Sequence, residues 1–292
     1  MNATILGCGY IGLELGRQLT ARGHDVVGVR RSKEGVETIK EAGFEAIQAD
    51  ITDPEELAGV PDTDALVFAA SSGGRNADAA REIYVRGLET VIKQFTERED
   101  PPERLVYTSS TGVYGDHDGD WVDEEAPIEP TTEKTRVLKE AEEVALDSPI
   151  SGTVVRFAGL YGPGRYRLER YLDGPVTEGY LNMIHQEDAA GVVRFLLEED
   201  LARGEVVLAV DDEPASKWEF ADWLTAQCGV AEPPKETKDE RLDDPDLSGP
   251  ARRRILTSKR CSNEKLHQLG YEFSFPTYRE GYRAAIKAYT GR

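Results

Sequence analysis

The strongest constraint on this chain lies at its start. Ala3-Thr4-Ile5-Leu6 runs directly into Gly7-Cys8-Gly9-Tyr10-Ile11-Gly12, then into Leu13-Glu14-Leu15-Gly16-Arg17-Gln18-Leu19. A short apolar run, a G-x-G-x-x-G turn and an amphipathic helix follow one another without a spare residue, the order of a dinucleotide-binding strand, loop and helix. In that reading Gly7 allows the tight turn, Gly9 lets backbone N–H groups approach a pyrophosphate, and Gly12 lets the helix pack on the strand. Tyr10 and Ile11 open the helix, whose positive end faces the phosphates. The competing reading is a purely structural tight turn.

The second strand of such a unit ends about 20 residues on, at the group that reads the adenosine ribose. Asp25-Val26-Val27-Gly28-Val29 is that strand, and Arg30-Arg31-Ser32 follows it. There is no carboxylate for a free 2′-hydroxyl, whereas an arginine pair suits a 2′-phosphate. NADP is therefore expected ahead of NAD, against the alternative of two solvated arginines opening the next helix.

Strand-like and helical stretches alternate through the first half in the rhythm of a parallel sheet. Expected strands are 44–49, 65–70, 104–109 and 152–157, with helices near 33–42, 77–98 and 131–146. After residue 162 the rhythm changes to an irregular section reaching Leu181, then a helix near 187–199 and a strand at 205–210. Residues 232–250 read as a charged, proline-containing surface loop, and two helices near 262–269 and 278–288 close the chain. The expected fold is α/β: a Rossmann-type doubly wound parallel sheet over residues 1–160, with a smaller C-terminal substrate-binding part at 161–292. Residues 187–210 are expected to return to the first domain.

The balance of 55 acidic against 35 basic residues, net charge -20, disfavours nucleic acid and anionic lipid as partners. No apolar run has the length of a membrane span, and strand-like sequence starts at once, so a cytoplasmic location is expected. Self-repulsion of this size is screened at about 1 M salt, where the Debye length is roughly 3 Å, and points to a halophilic source; an ordinary acidic protein is the alternative. Cys8, Cys228 and Cys261 form no metal-ligand pattern. Asp116, Asp118 and Asp120 alternate as at the start of a calcium loop, but Trp121 stands where glycine is needed and Pro127 where the bidentate glutamate belongs, so no metal is expected.

GCGYIG at 7–12, Asp50-Ile51 at a strand end, TSSTGVYG at 108–115, VVRFAGLYGPGR at 154–165 and NMIHQEDAA at 182–190 follow in an order that resembles the extended or atypical short-chain dehydrogenase/reductases. That group includes nucleotide-sugar epimerases and dehydratases. The resemblance spans nearly the whole chain and implies that Asp50 and Ile51 lie along the adenine and that Ala69 and Ala70 border its ribose. It also implies that Ser110 is the hydroxyl beside the nicotinamide, where it would orient a substrate carbonyl; an ST-turn at a strand end is the other reading of this serine. The family often pairs through two long helices, so a homodimer through helices 77–98 and 131–146 is an expectation.

Two departures stand out. Thr111 and Gly112 occupy the positions that carry Asp and Glu in the dehydratases, so the acid and base of that elimination are missing. The family's Tyr-x-x-x-Lys pair should open the helix after Ser110, yet no tyrosine lies between Tyr114 and Tyr161. Lys134 falls at the Tyr position and Leu138 at the Lys position; Lys134 and Lys139 also read as a solvated helix face. Tyr161 and His185 are the leading alternatives as proton-handling groups, with Tyr114 and Tyr166 behind them; any of the four also suits packing. The expectation is an atypical NADP-dependent oxidoreductase or epimerase-like enzyme for a small polar, sugar-derived substrate. A non-catalytic NADP-binding sensor is the alternative.

Overall fold

The computed structural model describes residues 1–73 and 76–291. Seven parallel strands form the central sheet: β1 (Asn2–Leu6), β2 (Asp25–Arg30), β3 (Glu45–Gln48), β4 (Ala65–Phe68), β5 (Arg104–Ser110), β6 (Ser151–Phe157) and β7 (Val206–Ala209). Their spatial order is β7-β6-β5-β4-β1-β2-β3, so the direction of winding reverses between β1 and β4. Every pairing in the sheet is parallel, which requires a crossover after each strand.

The crossovers cover both faces. Helices α1 (Tyr10–Ala21) and α2 (Lys33–Glu41) lie on one face, and α5 (Gln186–Glu198) packs beside α1. Helix α3 lies on the other face and is built from Ala77–Arg81, a π-helical turn at Glu82–Arg86 and Gly87–Thr96; α4 (Glu133–Leu146) packs against it. Alternation along the strands feeds both layers. Ile5, Val67, Val106 and Val155 enter the core with Leu15, Leu19 and Leu196, while Leu6, Leu66, Phe68 and Val154 enter the opposite core with Leu88, Phe95 and Val137. Because both faces are covered, the strands read as continuous apolar runs.

The expected α/β fold, its doubly wound parallel sheet and its strand positions agree with this architecture. Residues 186–209 carry α5 and β7 back to the sheet edge. The remaining C-terminal section holds α6 (Lys217–Cys228) and a separate aromatic core of Tyr161, Phe220, Tyr278 and Tyr282. Two details differ from the sequence expectation. The helix expected at 77–98 is interrupted by the π-turn, and the expected loop 232–250 contains a strand, Lys235–Glu236, paired in parallel with Val176–Thr177 and followed by the helix Lys238–Leu242. That pairing joins residues about 60 apart, which local pattern cannot reveal. Among the described residues no helix is long and apolar enough to cross a membrane.

Candidate functional site

Where the winding reverses, the carboxyl ends of β1 and β4 part and open a crevice. A cavity of about 640 Å³ starts there and runs from the β2 end to the β5 end. Gly7 sits at φ +74°, and a Cβ there would lie 2.3 Å from Ala70 Cα. A Cβ on Gly9 would come within 2.9 Å of Arg30 Nη1, and one on Gly12 within 2.9 Å of Ile5 Cγ2. Any larger residue at Gly7 or Gly9 would therefore fill the cradle, while Gly12 is spent on helix-to-strand packing. Gly9 caps α1 without any side-chain acceptor, so the first-turn amides at Tyr10 and Ile11 keep their donors for a ligand in the crevice. Cys8 is only a small buried residue; burial pushes its thiol up to about 12 despite Arg30 nearby.

Arg30, Arg31, Asp50, Ile51, Ala69 and Ala70, the residues expected around an adenosine, line the same cavity. Arg30 Nη1 donates to the Cys8 carbonyl at 3.3 Å, and Arg31 Nη1 reaches Asp50 Oδ2 at 3.4 Å. Burial would raise the Asp50 carboxyl, but hydrogen bonds from the Thr52 backbone and hydroxyl and from Arg31 outweigh it and hold it below the usual carboxylate range. Two guanidinium groups flanking a groove in a protein of net charge -20 make this end locally attractive to anions.

At the other end lie Ser110, Lys134, Tyr84, Ser72 and Arg165. Ser110 ends β5, and its Oγ accepts from Gly112 N at 3.1 Å, the ST-turn geometry. That bond is the ST-turn reading of this serine; it occupies a lone pair and leaves the hydroxyl hydrogen unengaged by it. Lys134 is half-buried in the cavity wall rather than on a solvated face, and no carboxylate lies within ion-pair distance of it among the described residues. Lys139, by contrast, is a surface group paired with Glu143 at 3.7 Å. Arg165 stacks 4.0 Å over the Tyr10 ring and walls the cavity near the phosphate loop.

Two residues singled out in the sequence stand elsewhere. Tyr161 does not line the cavity; it is 3% exposed, stacked on Tyr282 at 5.0 Å, and burial pushes its phenol far up. His185 does not line it either: its ring packs 3.8 Å from Phe275, its Nδ1 accepts from Glu187 N at 3.3 Å, and burial lowers it to about 4. A neutral histidine capping α5 is a structural role. Arg156 is held in a buried ion pair with Glu142, Nη2 to Oε2 2.8 Å, and donates to the Tyr114 hydroxyl at 2.7 Å. Glu142 also accepts from Ser109 Oγ at 2.5 Å, so this network braces the strand end that presents Ser110.

Sequence reasoning missed Tyr84 and Ser72. A tyrosine was sought only after Ser110; the signal available was the single tyrosine on the helix that follows the Ala69-Ala70 strand end.

The parallel sheet, its reversal point and the glycine cradle define a Rossmann-type nucleotide-binding protein. The chain belongs to the NAD(P)H-binding family, whose pattern matches residues 7–200. It is 31% identical over 281 residues to protein YeeZ of Escherichia coli K12, covering 93% of this chain and 95% of that one. Among solved structures it is similar to a Methylobacillus flagellatus protein assigned as an NAD-dependent epimerase/dehydratase, with 29% identity, TM-score 0.79 and coverage of 100% and 99%. It also shares its fold with the human epimerase family protein SDR39U1, solved with NADPH, at 22% identity, TM-score 0.77 and full coverage of both chains. These neighbours lie in the epimerase/dehydratase group that the motifs resemble.

Proposed function

We propose that the protein is an NADP-dependent oxidoreductase or epimerase-like enzyme acting on a small polar, sugar-derived substrate. The observation that carries this reading is the continuity of the cavity, from the arginine pair past the glycine cradle to Ser110 and Lys134. Arg30 and Arg31 hold the 2′-phosphate, and the α1 amides beside Gly9 hold the pyrophosphate. Asp50 and Ile51 line the adenine, and Ala69 and Ala70 its ribose. The nicotinamide supplies hydride transfer when the cofactor is bound. Ser110 donates its free hydroxyl hydrogen to the reacting oxygen, and Arg165 narrows the entrance. NADPH in the SDR39U1 structure supports the cofactor choice.

Ser110→Ala is expected to lower turnover about 100-fold while leaving NADPH affinity unchanged, because removing an oxyanion-type donor commonly costs roughly 2.7–4 kcal/mol. Steady-state kinetics beside a fluorescence titration of NADPH tests it, and equal turnover in the two proteins removes Ser110 from the reaction. The lysine at the usual tyrosine position favours a second reading, a cofactor-sensing protein without turnover. Tight NADPH binding with no oxidation or reduction across a carbonyl and alcohol panel would select that reading.

The net charge of -20 supports a protein adapted to high salt. Its Tm should rise clearly from dilute buffer to molar KCl, as screening removes self-repulsion. A flat or falling Tm would leave an ordinary acidic protein. A homodimer through α3 and α4 belongs to the same proposal, and sedimentation tests it.

A further inference from the structure

Helix α3 is broken by a π-turn, and Tyr84, which lines the cavity, sits inside it. An extra residue in a helical turn rotates the side chains that follow, and such turns recur at functional sites. The Tyr84 side chain lines the cavity together with Ser110 and Lys134, although only 9% of the residue is exposed. Its phenol oxygen accepts from Ser72 N at 3.1 Å and from Ser72 Oγ at 3.2 Å. A phenol oxygen has two acceptor positions and one hydrogen. Ser72 fills both acceptor positions, so the hydrogen is the phenol's one remaining group; the Ser71 hydroxyl beside it also lines the cavity, and a substrate oxygen would take the place of that contact.

We infer that Tyr84 and Lys134 together replace the missing Tyr-x-x-x-Lys pair, the phenol coming from α3 and the cation from α4, with Tyr84 as the group that gives the substrate oxygen its proton. This rests on the oxidoreductase reading above. Bound NADPH would supply the hydride that reduces a substrate carbonyl, sending the C=O electron pair to oxygen, and would be released as NADP⁺. Tyr84 Oη–H breaks and its proton completes the alcohol, and water returns a proton to the phenolate. The phenolate is held by the Ser72 N–H, the Ser72 hydroxyl and the Lys134 charge. Ser110 donates to the same oxygen from the β5 side.

The electrostatics follow the geometry. Burial raises the Tyr84 phenol, but hydrogen bonding with the Ser72 hydroxyl, the Ser72 backbone and the Ser71 hydroxyl, together with Lys134, outweighs it and brings it below the ordinary value. The other tyrosines with a shift, Tyr10, Tyr114 and Tyr166 among them, move up. The remaining groups around Tyr84 do not cancel this. Tyr107 on β5 is kept neutral by burial, Arg81 on α3 and Glu140 on α4 pair with each other at 2.5 Å, and Glu142 is neutralised by Arg156. A phenol held below its ordinary value in the same cavity as a cation is what general acid catalysis needs, and such groups contribute about 10²–10⁴-fold.

The test has two readouts. Ultraviolet difference titration of the intact protein should show one phenolate forming ahead of the other tyrosines; that step should vanish in Tyr84→Phe and move to higher pH in Lys134→Met. With NADPH and a diketone probe such as 2,3-butanedione, Tyr84→Phe should lower kcat about 100-fold at unchanged NADPH Kd. The alkaline limb of the wild-type pH–rate profile, where the phenol has lost its proton, should move to higher pH in Lys134→Met. An active wild type whose Tyr84→Phe variant keeps its rate and pH profile overturns the assignment while leaving the oxidoreductase reading intact. A wild type that binds NADPH but turns over no carbonyl removes both. A titration in which wild type and Tyr84→Phe coincide overturns the pairing of Tyr84 with Lys134 whatever the activity.

Discussion

Glu142→Ala is expected to cost the folded protein about 3–5 kcal/mol, because it strands the Arg156 guanidinium in the interior without its counter-charge. The two side chains are 3% and 4% exposed, so water cannot take over the role of the carboxylate. Three donors converge on Glu142: Arg156 Nε at 3.1 Å, Arg156 Nη2 at 2.8 Å and Ser109 Oγ at 2.5 Å. Thermal unfolding should register a fall in Tm on the order of 10 °C. The paired replacement Glu142→Leu with Arg156→Met should recover most of the loss, since swapping a buried pair for apolar residues of similar volume is commonly near neutral. If the single and double variants unfold alike, the charge is not the source of the loss. Ser109 neighbours the proposed catalytic serine, so the double variant is also expected to be slower than its stability alone would predict.

Replacing Arg30 and Arg31 together by alanine should weaken NADPH by roughly 30- to 1000-fold, a loss of about 2–4 kcal/mol, and leave NADH nearly unchanged. The selectivity comes from the 2′-phosphate, the only part of NADPH that NADH lacks. Arg31 is partly engaged with Asp50, so Arg31→Ala alone also frees a carboxylate at the ribose end and should improve NADH relative to NADPH. Fluorescence titration of both cofactors separates the cases. Equal weakening of the two would show that the arginines serve the groove as a whole and read no phosphate.

Most of the scaffold was legible because its signals are local. The glycine loop, the apolar runs of β1, β4, β5 and β6, and the strand-ending Arg30-Arg31 and Asp50-Ile51 each lie within a few residues of the feature that they specify. The cavity end reached by Ser110 was legible for the same reason. What stayed hidden depends on contacts between distant segments. Tyr161 and His185 sit in strings typical of a substrate edge, yet Tyr282 and Phe275, about a hundred residues further on, close over them. The buried network of Arg156 was hidden in the same way, because its partner Glu142 lies on a helix and its other contact, Tyr114, follows a different strand. Tyr84 was obscured by the π-turn, which breaks the 3.6-residue period from which a helical face is read.

The return of residues 186–209 to the sheet has a consequence for biosynthesis. When Phe157 has left the ribosome, six neighbouring strands are available, but the surface of α1 that α5 will cover is still bare. Only some thirty to forty residues later do Gln186 reach the Tyr10 carbonyl at 2.7 Å and Glu198 reach Arg22 at 2.7 Å and His24 at 2.9 Å. The helix that presents its amides to the crevice is therefore among the last to be clamped as the chain emerges. A nascent chain stopped before α5 carries the whole glycine loop yet holds it on a helix covered only on its sheet side, so the loop and its full support are acquired at different moments of translation.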